Sequence, residues 1–282
     1  MKNRAQNIIL IAAFLVGLSL LLYPPLSNYW NSFHQSMAIA DYATNVSDMD
    51  LDSCQRMLDA ARLYNESLAD RERRFRPGKT EHQEYMQTLK VGQDGMMGYV
   101  EIPSLHQSLA MYHTTEPEIL QVAVGHIEGS SLPVGGRGTH CVLSGHRGLP
   151  SAKLFSDLDR LKEGDTFLLK VLDQEYTYEV DQIHIVDPMD ISDLVLDPDE
   201  DYCTLVTCTP YGINTHRLLV RGRRIEAAEG SPGRPVPPDA AQISPLKVIP
   251  FVAVPLILLF IILPLFFEKP SKASDKSKIP GK

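Results

Sequence analysis

The stretch Thr204-Leu205-Val206-Thr207-Cys208-Thr209-Pro210-Tyr211-Gly212 constrains the fold more than any other part of the chain. Residues 204–207 alternate and β-branch as a buried strand does, and Pro210, Tyr211 and Gly212 supply turn chemistry that stops the strand just after Cys208. A thiol is left at a strand end, with Arg217 close downstream. A second strand-like run, residues 141–144, stops in the same way at Gly145-His146-Arg147-Gly148 and offers an imidazole at another strand terminus. Further short β-branched and aromatic runs occupy residues 99–102, 109–112, 167–171 and 176–180. Short strands separated by turn signals predict a sandwich or a barrel.

Helical patterns flank and interrupt these strands. Leu51, Met57, Leu58, Ala61, Leu63, Tyr64 and Leu68 recur at amphipathic spacing, with Ser47 or Asp48 available as a cap, so one or two helices precede the strands. A helix is expected over residues 152–161, where Leu154, Phe155, Leu158 and Leu161 form one apolar face.

Two apolar runs set the topology. Residues 8–23 follow Lys2 and Arg4, and residues 248–267 are followed by Glu268, Lys269, Lys272, Lys276 and Lys278. The second is long enough to span a hydrocarbon core of about 30 Å despite Pro250, Pro255 and Pro264. The first leads into the aromatic cluster Tyr23, Tyr29 and Trp30 without a clear small-x-small cleavage site, and reads as an uncleaved anchor in preference to a removed signal. Basic residues at both extreme termini place both tails in the cytoplasm and the segment between the spans outside the cell. The resulting division is a cytoplasmic N-terminus (1–7), an anchor (8–23), a helical and lid-like segment (24–94), a catalytic strand domain (95–226), a Pro-rich linker (227–247), a membrane helix (248–267) and a basic cytoplasmic tail (268–282). A net charge of −8 with no basic cluster in the strand region excludes a nucleic-acid partner.

Cysteine, histidine and arginine suffice for acyl transfer. Cys208 would attack a carbonyl as thiolate, its pKa depressed by cationic His146 and Arg217; Arg217 would bind the oxyanion and His146 would protonate the departing amine. Taken singly, each has a plain alternative: a buried inert thiol, a satisfied turn histidine, a surface charge. His126, His140 and His216 read as structural or rim residues without metal-site spacing, so no metal and no cofactor is expected.

In combination these residues resemble the sortases, cysteine transpeptidases carrying a Thr-Leu-x-Thr-Cys strand, a histidine after an earlier strand and an arginine after the cysteine. Gly125-His126, Leu132-Pro133-Val134-Gly135-Gly136, Leu143-Ser144-Gly145-His146-Arg147-Gly148 and Arg217-Leu218-Leu219-Val220-Arg221-Gly222 are similar to the class C, pilin-assembling branch. The resemblance implies a mainly β, closed sortase-type barrel with short helices, an N-terminal helical segment and two flanking transmembrane helices, with Cys208, His146 and Arg217 catalytic. It also implies a pilin or surface-protein substrate with a Leu-Pro-x-Thr-Gly-like sorting signal, cut between threonine and glycine. The resolving amine would be a pilin lysine. Anchoring of surface proteins to a cell-wall precursor is the second reading, and a catalytically silent, membrane-tethered binding domain the third.

One departure stands out. Class C members commonly carry an Asp-Pro-aromatic lid before the first strand, whereas residues 71–78 here read Arg-Glu-Arg-Arg-Phe-Arg-Pro-Gly. Phe75 is the candidate plug over the site, with Asp70 or Glu72 the candidate partner of Arg217; a solvated basic loop is the alternative. Cys141 and Cys203 each lie five residues before His146 and Cys208. If the two strands run side by side and parallel, as the family fold implies, the two thiols sit level with each other on the face opposite the catalytic groups. Two reduced buried thiols are expected there in preference to a disulfide, with Cys54 unpaired on its helix.

Overall fold

The computed structural model describes residues 2–71, 73–92 and 95–226. Eight strands close into a barrel in the order β1-β2-β3-β4-β7-β8-β6-β5. They are β1 (Met96–Ile102), β2 (Gln107–His113), β3 (Val124–His126), β4 (Thr139–Ser144), β5 (Thr166–Val171), β6 (Gln174–Val186), β7 (Asp201–Thr209) and β8 (His216–Arg224). Closure leaves no open sheet edge. Most neighbours pair antiparallel, but β2–β3 and β4–β7 are parallel. The β4–β7 ladder runs from Thr139↔Asp201 to Ser144↔Val206, and β7–β8 from Tyr202↔Arg223 to Thr209↔His216.

Side-chain alternation divides this wall into two faces. Cys141, Leu143, Cys203, Leu205 and Val220 point into the barrel core with Phe167, Leu169, Tyr178 and Val180. Val142, Val206, Leu219 and Leu194 form a smaller cluster on the outside of the same strands. Strand β4 is buried along nearly its whole length because both of its faces are covered.

Three helices precede the barrel: α1 (Lys2–Ser47), α2 (Leu51–Leu68) and α3 (Lys79–Gln87). The cap of α2 is Asp50, whose carboxylate accepts from the Ser53 amide at 2.7 Å, and not Ser47 or Asp48. Ser47 is still the last residue of α1, so the cap falls after the turn that separates the two helices. The expected helix over residues 152–161 is a 3₁₀ helix at Leu154–Arg160 that buries Leu154, Phe155 and Leu158.

The run 8–23 forms the opening part of α1, and the helix continues through Pro24 and Pro25 onto the barrel. There the Ser27 hydroxyl donates to Ser151 O at 3.3 Å, Asn28 Oδ1 accepts from Lys153 N at 2.7 Å, and buried Tyr42 bridges Met97 O and Leu172 N at 2.9 and 2.8 Å. Among the described residues no helix is long and apolar enough to cross a membrane, so the two flanking spans expected from sequence draw no support from the structure. Residues 227–282, which hold the linker, the second apolar run and the basic tail, lie outside the described residues.

Candidate active site

Cys208 and Arg217 are direct partners in the β7–β8 ladder. Paired residues of antiparallel strands have Cα atoms roughly 4.5–5.5 Å apart and side chains on the same face. On the other side of β7, the ladder with β4 extends one step past its last paired residues, through Gly145 N–H donating to Val206 O at 3.1 Å. Counted on from Ser144↔Val206, that register sets His146 opposite Cys208, two residues past the end of β4. The structure thus gathers the three residues singled out in the sequence at one end of one wall, with Cys208 in the middle strand. All three are partly exposed.

Local packing explains why the histidine loop stops where it does. A Cβ on Gly145 would come within 2.7 Å of the Phe155 ring, so only glycine lets the buried 3₁₀ helix approach this closely. Phe155 N–H donates to His146 O at 3.2 Å, and the Thr207 hydroxyl donates to Gly145 O at 2.7 Å. Burial lowers the His146 pKa below its ordinary value and favours the neutral ring.

The Arg217 guanidinium donates to the carbonyls of Asn214 at 3.4 Å and His216 at 3.1 Å. Among the described residues no carboxylate forms an ion pair with it; Asp70 does not, and Glu72 lies outside those residues. Phe75 does pack on the outer cluster of Val142, Leu194, Val206 and Leu219, whose last two members flank Cys208 and Arg217 by two residues on the same face. The lid-like segment is held there by Arg74, which donates to Leu194 O and, at 3.4 Å, to Gly129 O. Gly129 admits this crossing: its φ is +91°, and a Cβ would come within 2.0 Å of Arg74 O. Arg74 was not singled out in the sequence, where four arginines in six residues look like a solvated run.

Of the other histidines singled out in the sequence, two are built into the fold. Buried His126 meets the Tyr85 hydroxyl at 3.0 Å and Ser131 O at 2.9 Å. Buried His140 meets Val195 O at 2.9 Å and the Thr204 hydroxyl at 2.7 Å, and burial lowers its pKa to about 4. His216 is exposed, 3.7 Å from Asp187. Among the described residues no group of three or more His, Cys, Asp or Glu is placed to hold a metal ion.

Cys141 and Cys203 are register partners in β4 and β7, both buried and both free thiols. Burial, the largest influence, pushes Cys203 well above the usual thiol range. At Cys141 the same burial is outweighed by hydrogen bonds with Cys203 and His126, which bring it down to about 6. The site and its surroundings can support thiol-based acyl transfer only at Cys208, because the inner pair is closed off from solvent.

Comparison with known proteins agrees with this geometry. The Sortase domain family matches residues 100–225. Sortase C1 from Streptococcus agalactiae is 47% identical, with a TM-score of 0.67 over 68% of this chain and 100% of that one. Streptococcus pneumoniae sortase C is 45% identical, with a TM-score of 0.61 over 68% of this chain and 97% of that one. Sortase D of Bacillus subtilis is 31% identical over 131 residues, 45% of this chain, and the match spans 63% of that relative's own length.

Proposed function

Because the chain belongs to the sortase family of cysteine transpeptidases, we propose that it cleaves a Leu-Pro-x-Thr-Gly-like sorting signal and joins the acyl group to a pilin lysine, polymerising pili. The observation that carries the chemistry is the position of Cys208 between His146 on one neighbouring strand end and Arg217 on the other. The neutral imidazole of His146 takes the Cys208 proton, and the thiolate adds to the threonine carbonyl. Arg217 binds the oxyanion; the C–N bond to glycine breaks as the imidazolium protonates the departing amine, leaving a thioester. An incoming amine then attacks the thioester, His146 takes the proton that the amine loses, the thiolate leaves, and a new amide forms.

Two things support the pilus-assembling branch over wall anchoring. The two structural relatives above are C-type enzymes, and the pneumococcal structure was described for its pilin substrate specificity. A covered outer wall, with Phe75 lying on the cluster beside the site, fits a lid that works without the Asp-Pro-aromatic motif. Anchoring in a membrane by residues 8–23 is part of the same reading. Leu10, Phe14, Leu20 and Leu21 of α1 are each at least 63% exposed, an apolar surface that a bilayer would cover. The site would then work outside the cell, with both termini in the cytoplasm.

The test is transfer of a sorting peptide to a pilin-lysine peptide, followed by mass spectrometry. We expect Cys208→Ala to abolish product and His146→Ala and Arg217→Ala to lower kcat by at least about 10³-fold, with folding unchanged. Amide formation by the Cys208→Ala protein would overturn the mechanism, and transfer to a cell-wall peptide amine but not to lysine would favour wall anchoring.

A further inference from the structure

His146 and Cys208 each occupy the centre of a three-residue span, 145–147 and 207–209, and the outer members of the two spans are tied together. On one side Thr207 donates to Gly145 O at 2.7 Å. On the other side Arg147 Nη1 donates to Thr209 Oγ1 at 3.1 Å. Arg147 reaches with its second arm to Asp159 Oδ2, 2.5 Å away on the 3₁₀ helix, and its guanidinium carbon lies 5.9 Å from the Tyr211 ring centroid.

This arginine is placed at a cost. Its side chain is only 8% exposed while its carboxylate partner is 47% exposed, so the guanidinium is desolvated against a partner that remains hydrated. Its Nε is buried without a hydrogen-bond partner among the described residues. An apolar side chain of similar volume would satisfy packing with no such deficit. What an apolar side chain could not do is grip the residue after Cys208 from the residue after His146.

We propose that Arg147 is a positioning residue for acyl transfer, fixing through Thr209 and Asp159 the lateral spacing between the His146 imidazole and the Cys208 thiol. It does not touch the reacting atoms. The proposal rests on the cysteine–histidine reading above. Proton transfer between the two groups demands hydrogen-bond reach, and a misplacement of about 1 Å costs on the order of 10²-fold in rate. Backbone pairing alone does not hold that spacing, because β4 ends at Ser144, two residues before His146.

The experiment compares Thr209→Val, Arg147→Met, their double variant and Cys208→Ala in peptide transfer and in the pH profile of Cys208 alkylation. Thr209→Val keeps shape, charge and the Asp159 ion pair, and stays informative if Arg147→Met fails to fold. We expect it to lower kcat about tenfold with KM within about twofold, and to move the alkylation midpoint upward by roughly half a pH unit. Arg147→Met should lower kcat about 100-fold, and the double variant should be no slower than Arg147→Met. Wild-type kcat and an unmoved alkylation midpoint in Thr209→Val would overturn the proposal, as would losses that multiply in the double variant. An inactive Cys208→Ala beside an unaffected Thr209→Val removes the positioning role alone; an active Cys208→Ala removes the reading beneath it.

Discussion

The β4–β7 wall carries a cysteine next to a histidine on each of its faces, and the two pairs have opposite fates. Inside the barrel, Cys141 contacts His126 and lies beside Cys203, all three nearly or fully buried. Outside, Cys208 is partly exposed, with His146 two residues past the end of the neighbouring strand β4 and Arg217 opposite on β8. Residue type and even proximity to an imidazole are therefore not what separates an inert thiol from a nucleophile. Exposure differs instead: Cys208 is partly open to solvent while Cys141 and Cys203 are buried, and a single step along a strand decides the face.

The sharpest way to break this comparison is alkylation of the folded protein without reductant, followed by intact-mass measurement. We expect one adduct, at Cys208, and four only after unfolding, because Cys54, Cys141 and Cys203 are buried. The native rate at Cys208 should exceed that at the inner thiols by at least about 10³-fold, since those react only through large-scale opening. A second native adduct on Cys141 or Cys203 would mean that the inner face is open. A mass showing those two thiols missing from the unfolded count would mean that they are joined.

The equal depth of the inner pair followed from equal five-residue offsets once the family resemblance supplied parallel neighbouring strands, and the register Cys141↔Cys203 agrees with it. The gathering of Cys208, His146 and Arg217 at one end of the wall was legible as well, since strand-then-turn patterns mark strand ends. Other features were not. Strand β3 has three residues, too few for any periodicity to register. The barrel depends on strand pairings such as Thr139 with Asp201, far apart in sequence, which no local pattern encodes. Arg147 reads as one more turn residue, and only the fold reveals that its side chain turns back into the protein to reach Thr209. The cap at Asp50 was missed because α1 runs on to Ser47, so the start of α2 falls later than Ser47 or Asp48 suggested.

A second test probes how firmly the outer face is closed beneath the site. His140 points outward on β4, packed among Arg74, Arg221 and Asp181, with burial the main reason that its pKa falls to about 4. A histidine whose folded pKa is depressed costs nothing above its unfolded value near 6.5 and destabilises the fold progressively as pH falls toward the folded value. The penalty should reach about 3 kcal/mol by pH 4. Denaturant unfolding of wild type and His140→Gln at pH 7 and pH 4 checks it. Both proteins lose stability to their remaining groups, including His113, whose pKa burial also lowers. Wild type should lose about 3 kcal/mol more than the variant. Equal losses would mean that the outer wall admits water to His140.

The smallest expected effect concerns the lid-like segment that packs on the outer cluster beside the site. Phe75, in the lid-like segment, packs against the outer cluster that includes Val206 and Leu219, with the Arg74 guanidinium carbon 4.5 Å from its ring centroid. Its removal opens the wall next to Cys208 but leaves Arg74 bound to Gly129 O and Leu194 O, so the segment should loosen without leaving. Phe75→Ala is therefore expected to raise the Cys208 alkylation rate only about threefold, an effect of less than about 1 kcal/mol on the closed form. The inner cysteines should remain as unreactive as before, because nothing on their face changes. Adding Arg74→Ala removes the two backbone anchors and should raise the rate further, to about tenfold over wild type. An unchanged rate in both variants would mean that the segment never shields the thiol, and the contrast between the two faces would then rest on strand geometry alone.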